Sequence, residues 1–352
     1  MLFLIGTITV SYFAMSNKSI DQDKKVSQIA KQYKASDEDM EKEYQKAVNN
    51  LKVEDYVKVG DYVDYNPTIA SKDGTKVEES KLSYTSPTGT ASEHGNGYSE
   101  QTFKATENTQ WRVLSIENGT VELISRNGIK TFDKDLDFFI KGARGYLYAE
   151  QELNEVCKIF GYGYGADTTK GGSYTTGGPI DKQITGKIEE TGARSITIED
   201  INKKAGITEA DYTTLRSSYG STTNPTLNVY YPTVNGDSTI GKSTAAGVKN
   251  LKCTYYSYNK SKIENTEIKN MLFNGNCWLA SRCIDAVSSC AYFNVHYVID
   301  DLASAGTLCY GYGSTLSEYP CSYYAVRPVV TLKSDIIDVS TNYSTEGEWK
   351  LK

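Results

Sequence analysis

The chain has 352 residues and a formal net charge of -6, with Tyr 28 as its compositional outlier. This acidity leaves no electrostatic footprint for a nucleic-acid partner. With Pro 7 and Gly 29, and few long helical patterns, the composition speaks against a helical bundle and for an irregular, β-rich α+β protein.

The first residues, Met1 to Met15, form an apolar run of about fourteen, short of the ~20 needed to span a bilayer, and they lack the basic region of an ordinary signal peptide. Two readings stand: a signal or membrane anchor whose start precedes this sequence, or a buried strand. The charged segment Ser16 to Lys25 behind the run fits a chain leaving a membrane. From Val26 to Leu51, apolar residues recur at near-helical spacing (Val26, Ile29, Ala30, Tyr33, then Met40, Tyr44, Val48, Leu51). This predicts a helix, broken near Ala35-Ser36, that completes a stalk over residues 16–53; its charges read as a solvated face.

The folded body is expected over residues 54–338, with 339–352 as a tail. Val57 to Tyr65 alternates apolar and polar residues and reads as the opening strand, followed by a polar loop from Ser71 to Gln101. Trp111 to Ile116 and Val121 to Ser125 flank Asn118-Gly119, the strongest hairpin signal in the chain, because both central turn positions must accept positive φ. Tyr146 to Phe160 predicts an amphipathic helix ended by Gly161; the Gly161-Tyr-Gly-Tyr-Gly165 run follows this helix and reads as its exit loop. Thr197-Ile-Glu-Asp200 carries a capping pattern opening another helix. Thr222 to Asn250 reads as irregular, Cys253 to Tyr258 as a strand, and Ile263 to Phe273 as a short helix leading into a strand at Trp278.

Gly236-Asp-Ser-Thr-Ile-Gly241-Lys242-Ser243 matches the P-loop pattern, and Asp300-Asp301 could imitate a magnesium-holding strand end. Pro232 upstream, Gly247 downstream and the lack of βα alternation argue against nucleotide binding. The two histidines, His94 and His296, have no nucleophile beside them, so no enzyme is expected. Cys 7 is an odd number without close C-x-x-C pairs, which speaks against zinc and leaves disulfides open outside the cell. No cofactor is expected.

The segment Cys283 to Val326 has its own vocabulary. It lacks Lys, Arg, Gln, Met and Trp, and Glu318 is its only Glu, although average usage would place about five basic residues there. Tyr, Ser, Asp, Gly, Cys, Leu, Val and Ala fill it, the chemistry of a paratope in which rigid aromatics bind and small polar groups adapt. Ala291 to Val298 alternates, placing Phe293 and Val295 inward and Tyr292, Asn294 and His296 outward. Tyr297, Asp300, Asp301, Tyr310, Tyr312, Tyr319 and Tyr323, with Tyr324, complete the candidate ligand face. Trp278, Arg282 and Arg327 are expected to be scaffold. The plainer reading is a Tyr/Ser/Gly-rich loop with half-buried tyrosines.

The Gly60-Asp61-Tyr62-Val63 strand, the Trp111-Arg112-Val113-Leu114 hairpin and the Trp278-Leu-Ala-Ser-Arg282 … Val326-Arg-Pro-Val-Val330 frame resemble bacterial proteins with a C-type-lectin-like or formylglycine-generating-enzyme-like domain. The resemblance implies a fold over roughly Asp55 to Ile336 in which Val57–Tyr65 lies near Arg327–Leu332, displayed at the cell surface or secreted, for a protein or glycan ligand. Several members are targets of diversity-generating retroelements, which rewrite adenines in AAY codons and cannot produce Lys, Glu, Gln, Met or Trp. The window obeys that restriction except at Glu318, read as a fixed position, and its cysteines need not be bonded. The copper-binding cysteine pair of the enzymatic branch does not map onto this chain. The competing readings are a structural envelope or pilin-like component and, less favoured, a P-loop enzyme.

Overall fold

The computed structural model describes residues 42, 52–77, 81–88, 97–132, 135–177, 183–208, 210–211, 228–235, 239–246, 254–287, 290–319, 322–339 and 347–352. The apolar run Met1–Met15 and, Lys42 aside, the expected stalk helix lie outside the described residues. No described helix is long and apolar enough to cross a membrane.

The expected opening strand contracts to β1 (Tyr62–Val63). Gly60 turns the chain at φ 98, and the Asp61 carboxylate accepts the Lys58 N–H at 2.9 Å, so the residues before it form a turn. The polar stretch expected to be a loop contains a hairpin, β2 (Lys81–Thr88) with β3 (Gly97–Lys104). β4 (Trp111–Glu117) and β5 (Thr120–Ser125) meet at Asn118 (φ 51) and Gly119 (φ 76), both in the left-handed region a tight two-residue turn requires. After β6 (Phe138–Ile140) comes α1 (Gly142–Cys157), which buries Tyr146, Leu147, Leu153 and Val156.

The hairpin β7 (Ser173–Gly177) and β8 (Gln183–Lys187) precedes β9 (Ala193–Ser195) and α2 (Ile198–Ala205). α2 carries the anticipated capping box: Thr197 Oγ1 accepts the Asp200 N–H, the Asp200 carboxylate accepts the Thr197 N–H at 2.8 Å, and Gly206 ends the helix at φ 64. Within the stretch read as irregular, β10 (Asn228–Asn235) pairs antiparallel with β11 (Thr239–Ala246). Then follow β12 (Tyr258–Asn259), α3 (Thr266–Leu272), β13 (Cys277–Ala286), β14 (Cys290–Ile299), β15 (Leu302–Tyr312), β16 (Thr315–Glu318), β17 (Ser322–Tyr324), β18 (Pro328–Lys333) and β19 (Glu348–Trp349).

One sheet runs β19-β1-β4-β5-β18-β9; another runs β12-β15-β14-β13, with β16 added to β15. Tyr62–Val63 and Pro328–Lys333 thus share a sheet but are separated by β4 and β5. The neighbour of β1 on its other side is β19, in parallel. Residues 347–352 therefore belong to the body: Trp349 is buried and donates Nε1–H to Asp61 at 2.9 Å.

The sheets enclose two cores. α1, Val113, Leu123, Val330 and Leu332 of the first sheet, and Phe293 and Val295 of the second, form the larger. Leu114, Ile124, Val329 and the second sheet's Leu279 and Val298 join α2 and α3 in the other. β18 is buried on both faces, which is why its sequence reads as a continuous apolar run.

Arg327 sits fully buried between these cores. Its guanidinium donates to the carbonyls of Ser125 (3.0 Å), Arg126 (3.1 Å), Met271 (2.5 Å) and Leu272 (3.0 Å). The last two belong to the final turn of α3, where orphan carbonyls favour a cation. Arg327→Met is expected to destabilise the fold by about 3–5 kcal/mol by leaving these carbonyls without donors. Lys in its place, with one compact ammonium, should recover less than half; urea unfolding of both variants measures this.

Arg194 binds Glu122 at 2.8 Å and Asp200 at 2.7 and 2.9 Å. Burial would raise the Asp200 pKa, but the Arg194 charge and the Thr197 hydrogen bonds outweigh it and hold the carboxyl below its ordinary value. Because this folded-state pKa is lowered, its stabilisation is present above the unfolded carboxyl value of about 3.9 and lost as pH falls through the folded one. Asp200→Asn is expected to lower the melting temperature at neutral pH and flatten its acid limb, read by thermal scans across pH.

Candidate ligand-binding face

The residues expected to form one face are distributed over four places. On β14, side chains alternate as read: Phe293 and Val295 point into the larger core. Asn294 and His296 do point the other way, but each is only 2 % exposed, which corrects their placement at the surface. The cause is a strap, Thr254 to Asn259. It hydrogen-bonds to the free edge of β13 through Thr254 and Tyr255 N–H to Ile284 O, both at 2.9 Å, and pairs with β15 at Tyr258↔Ala303. Between these anchors it crosses β14. Beneath it the His296 ring lies 5.4 Å from Tyr256, and His296 Nδ1 lies 3.2 Å from Ser281 O. The part of the expected strand over Cys253–Tyr258 that is described is this strap, with regular pairing only at Tyr258–Asn259; Cys253 lies outside the described residues.

Asp300 and Asp301 occupy the β14–β15 turn. Asp300 takes φ 49 and its N–H is bound by Asn276 Oδ1 at 2.9 Å, while Asp301 pairs with Lys260. From the strand rise, they lie about 25 Å along β14 from Tyr292.

Tyr297 faces the side of α1. Its ring is 4.7 Å from Tyr324, which meets Trp278 edge-on at 4.8 Å, and Tyr323 lies against Phe139 at 5.5 Å. Trp278 is buried and donates Nε1–H to Phe138 O at 2.8 Å. Burial pushes the Tyr324 phenol up to about 12. Arg282 also serves as scaffold: its guanidinium stacks 5.0 Å from the Tyr146 ring centre and donates to Thr175 Oγ1 at 2.8 Å.

The fourth place, at the end of the sheet beyond the strap, collects the remaining tyrosines. Tyr292 pairs across the strands with Tyr310, ring centres 6.2 Å apart, and Tyr310 meets Tyr319 at 5.4 Å. By the two-residue period, Tyr312 shares the Tyr310 face. Tyr312 is 55 % and Tyr319 38 % exposed. A hydrogen bond to Cys290, then burial, push the Tyr292 phenol up to about 12. Asp285, opposite Tyr292 on β13, joins this row, and the cross-strand register is the signal that places it.

Two residues of the window are fixed by packing. A Cβ on Gly311 would stand 1.7 Å from Tyr230 O, because β10 crosses its backbone directly. The Glu318 carboxylate accepts the Ala143 N–H at 3.2 Å at the start of α1 and lies against Gly142, which takes φ 60. Cys283, Cys290 and Cys309 are buried and form no disulfide, as is true of Cys157 and Cys277; Cys321 lies outside the described residues, as does His94.

Among the described residues there is no cluster of three metal-ligating side chains. Of the P-loop pattern, Gly236 to Ser238 lie outside the described residues. Gly241, Lys242 and Ser243 lie on β11, paired with Thr233, Pro232 and Tyr231. A strand offers no helix N-terminus for phosphate. Clefts of about 640, 400 and 360 Å³ open elsewhere on the body and are lined by residues outside Cys283–Val326. No family model, no curated protein and no solved structure matches this chain.

Glu318→Gln is expected to cost about 0.5–1 kcal/mol by weakening the charge at the α1 N-terminus. Gly142→Ala should cost more, since it adds left-handed strain and a clash with that carboxylate; chemical unfolding compares the two.

Proposed function

We propose that this chain is a bacterial surface or secreted ligand-binding protein, adhesin- or receptor-like, with a C-type-lectin-like body. In this reading the N-terminal apolar segment anchors it to the membrane. The binding face is the tyrosine row Tyr292, Tyr310, Tyr312 and Tyr319, and its partner is a protein or glycan. The window is a diversified segment: its row positions exchange while its core positions hold still.

One observation carries this reading. Seven large apolar side chains are exposed among the described residues, and four of them (Leu302, Tyr312, Tyr319, Tyr323) fall in Cys283–Val326, which holds about a sixth of those residues. Single exposed apolar residues are ordinary, but Tyr312 and Tyr319 share one end of the sheet with Tyr292 and Tyr310, and a clustered aromatic surface marks an interaction site. Tyrosine offers large contact area with two side-chain torsions to order and is enriched where proteins bind. The exception to the adenine restriction, Glu318, sits at a helix start where a carboxylate is favoured, which fits its reading as a fixed position.

The reading has two expected outcomes. The surrounding locus should contain a reverse transcriptase and a near-repeat of the window's codons that differs only at adenines, with differences at Tyr292, Tyr310, Tyr312 and Tyr319 and none at Gly311 or Glu318. Absence of both would sink diversification and leave a fixed binding protein. Replacing those four tyrosines with Ser together should cost only about 1–2 kcal/mol, whereas Phe293→Ala alone should cost about 3–5 kcal/mol. A tyrosine replacement as costly as Phe293→Ala would make the row core packing and overturn the binding-face reading.

A further inference from the structure

The window carries acids and neither lysine nor arginine. Its charged residues are Asp285, Asp300, Asp301 and Glu318. The structure accounts for three of them away from the tyrosine row: Asp301 pairs with Lys260, Glu318 caps α1, and Asp300 holds a turn. Asp285 is different. It stands directly across from Tyr292 at the head of the row, half-exposed, and its Oδ1 is closed off from solvent with no hydrogen-bond partner. Burial raises its pKa, opposed only by the Ala286 backbone N–H. No cation among the described residues forms an ion pair with it.

Tyr292, Tyr310 and Tyr319 meet with interplanar angles of 37° and 58°, so the row is a tilted aromatic tray with a carboxylate at one end. Aromatic faces carry negative potential and attract a cation lying over them, more strongly when water is excluded. A partly desolvated carboxylate gains most from a partner of opposite charge. The same elements would repel an acidic ligand.

We propose, building on the binding-face reading, that this row recognises a lysine or arginine side chain on the surface of a partner protein, the aliphatic stem lying on the tyrosines and the charged head reaching Asp285. The shape agrees with such a partner. Tyr312 and Tyr319 stand open to solvent at this end of the sheet, so the row suits a projecting side chain better than an enclosed small molecule.

The test uses the full chain and three dodecapeptides of alternating Gly-Lys, Gly-Ser and Gly-Glu, titrated by fluorescence anisotropy at two salt concentrations. The basic peptide is expected to bind, and Asp285→Asn and Tyr310→Leu are each expected to weaken it about five- to tenfold. Glu107→Gln, which removes an exposed carboxylate outside the window, should change it less than twofold. Tyr310→Leu keeps an apolar side chain and removes the aromatic face, and thermal unfolding of each variant checks that the fold is retained. Binding that ignores Tyr310→Leu while falling equally with every lost carboxylate is charge attraction alone and overturns the proposal. Binding of the neutral or acidic peptide that depends on Tyr310 also overturns it, but leaves the binding-face reading standing. No binding of the basic peptide removes the cationic ligand class, while the four-tyrosine stability comparison still judges the face itself.

Discussion

A single buried guanidinium ties the second half of this protein to the first. Arg327 gathers carbonyls from the end of β5 and from the last turn of α3, elements that reach it from far apart in the chain. Burial lowers its pKa, but an arginine retains its proton under such a penalty, and its planar fork serves several acceptors at once. The next residues run directly into β18, the strand buried on both faces. Arg327 therefore fixes where the window ends, as the Trp278 indole, hydrogen-bonded to Phe138, fixes where it begins. Whatever fills the intervening residues is held between two anchors outside it.

Within that frame, covering elements decide which side chains reach solvent. The strap over β14 buries Asn294 and His296. β10 passes so close to Gly311 that no side chain fits there. On the opposite face α1 and the first sheet enclose Phe293, Val295 and Cys309. The end of the β14–β15–β16 surface beyond the strap remains, and the tyrosines cluster on it. The buried cysteines act as small apolar residues in this arrangement; burial pushes the Cys309 thiol up, away from the reactive thiolate.

The sequence was most legible where a local rule has one solution. Asn118-Gly119 specifies a tight hairpin through two left-handed residues, and Thr197 with Asp200 specifies a helix start, because both depend on residues a few positions apart. The hairpins within Ser71–Gln101 and Thr222–Asn250 were illegible because their Gly, Ser and Thr content imitates loops. Their strands are defined by mutual pairing, which composition does not encode. The alternation of β14 gave the right facing for Phe293 and Asn294 alike. What it could not give was the strap, since facing away from one core does not preclude a second layer supplied by a segment dozens of residues earlier. Glu122 and Asp200 meeting on Arg194 were invisible for the same reason.

The P-loop pattern and the tyrosine row make opposite points about motif and context. Gly241-Lys242-Ser243 has the right letters, yet β11 holds its backbone extended against β10, where a P-loop would open a helix N-terminus for phosphate. The tyrosines match no motif, but β14, β15 and β16 bring three of them into ring contact beside a carboxylate. Their backbone is fixed by the ladder and their neighbours by the core, so exchange at Tyr310 or Tyr319 changes the chemistry presented without changing where it is presented. That separation of position from identity is the physical requirement of a variable binding surface. It depends on Gly311, Glu318 and Arg327 staying as they are.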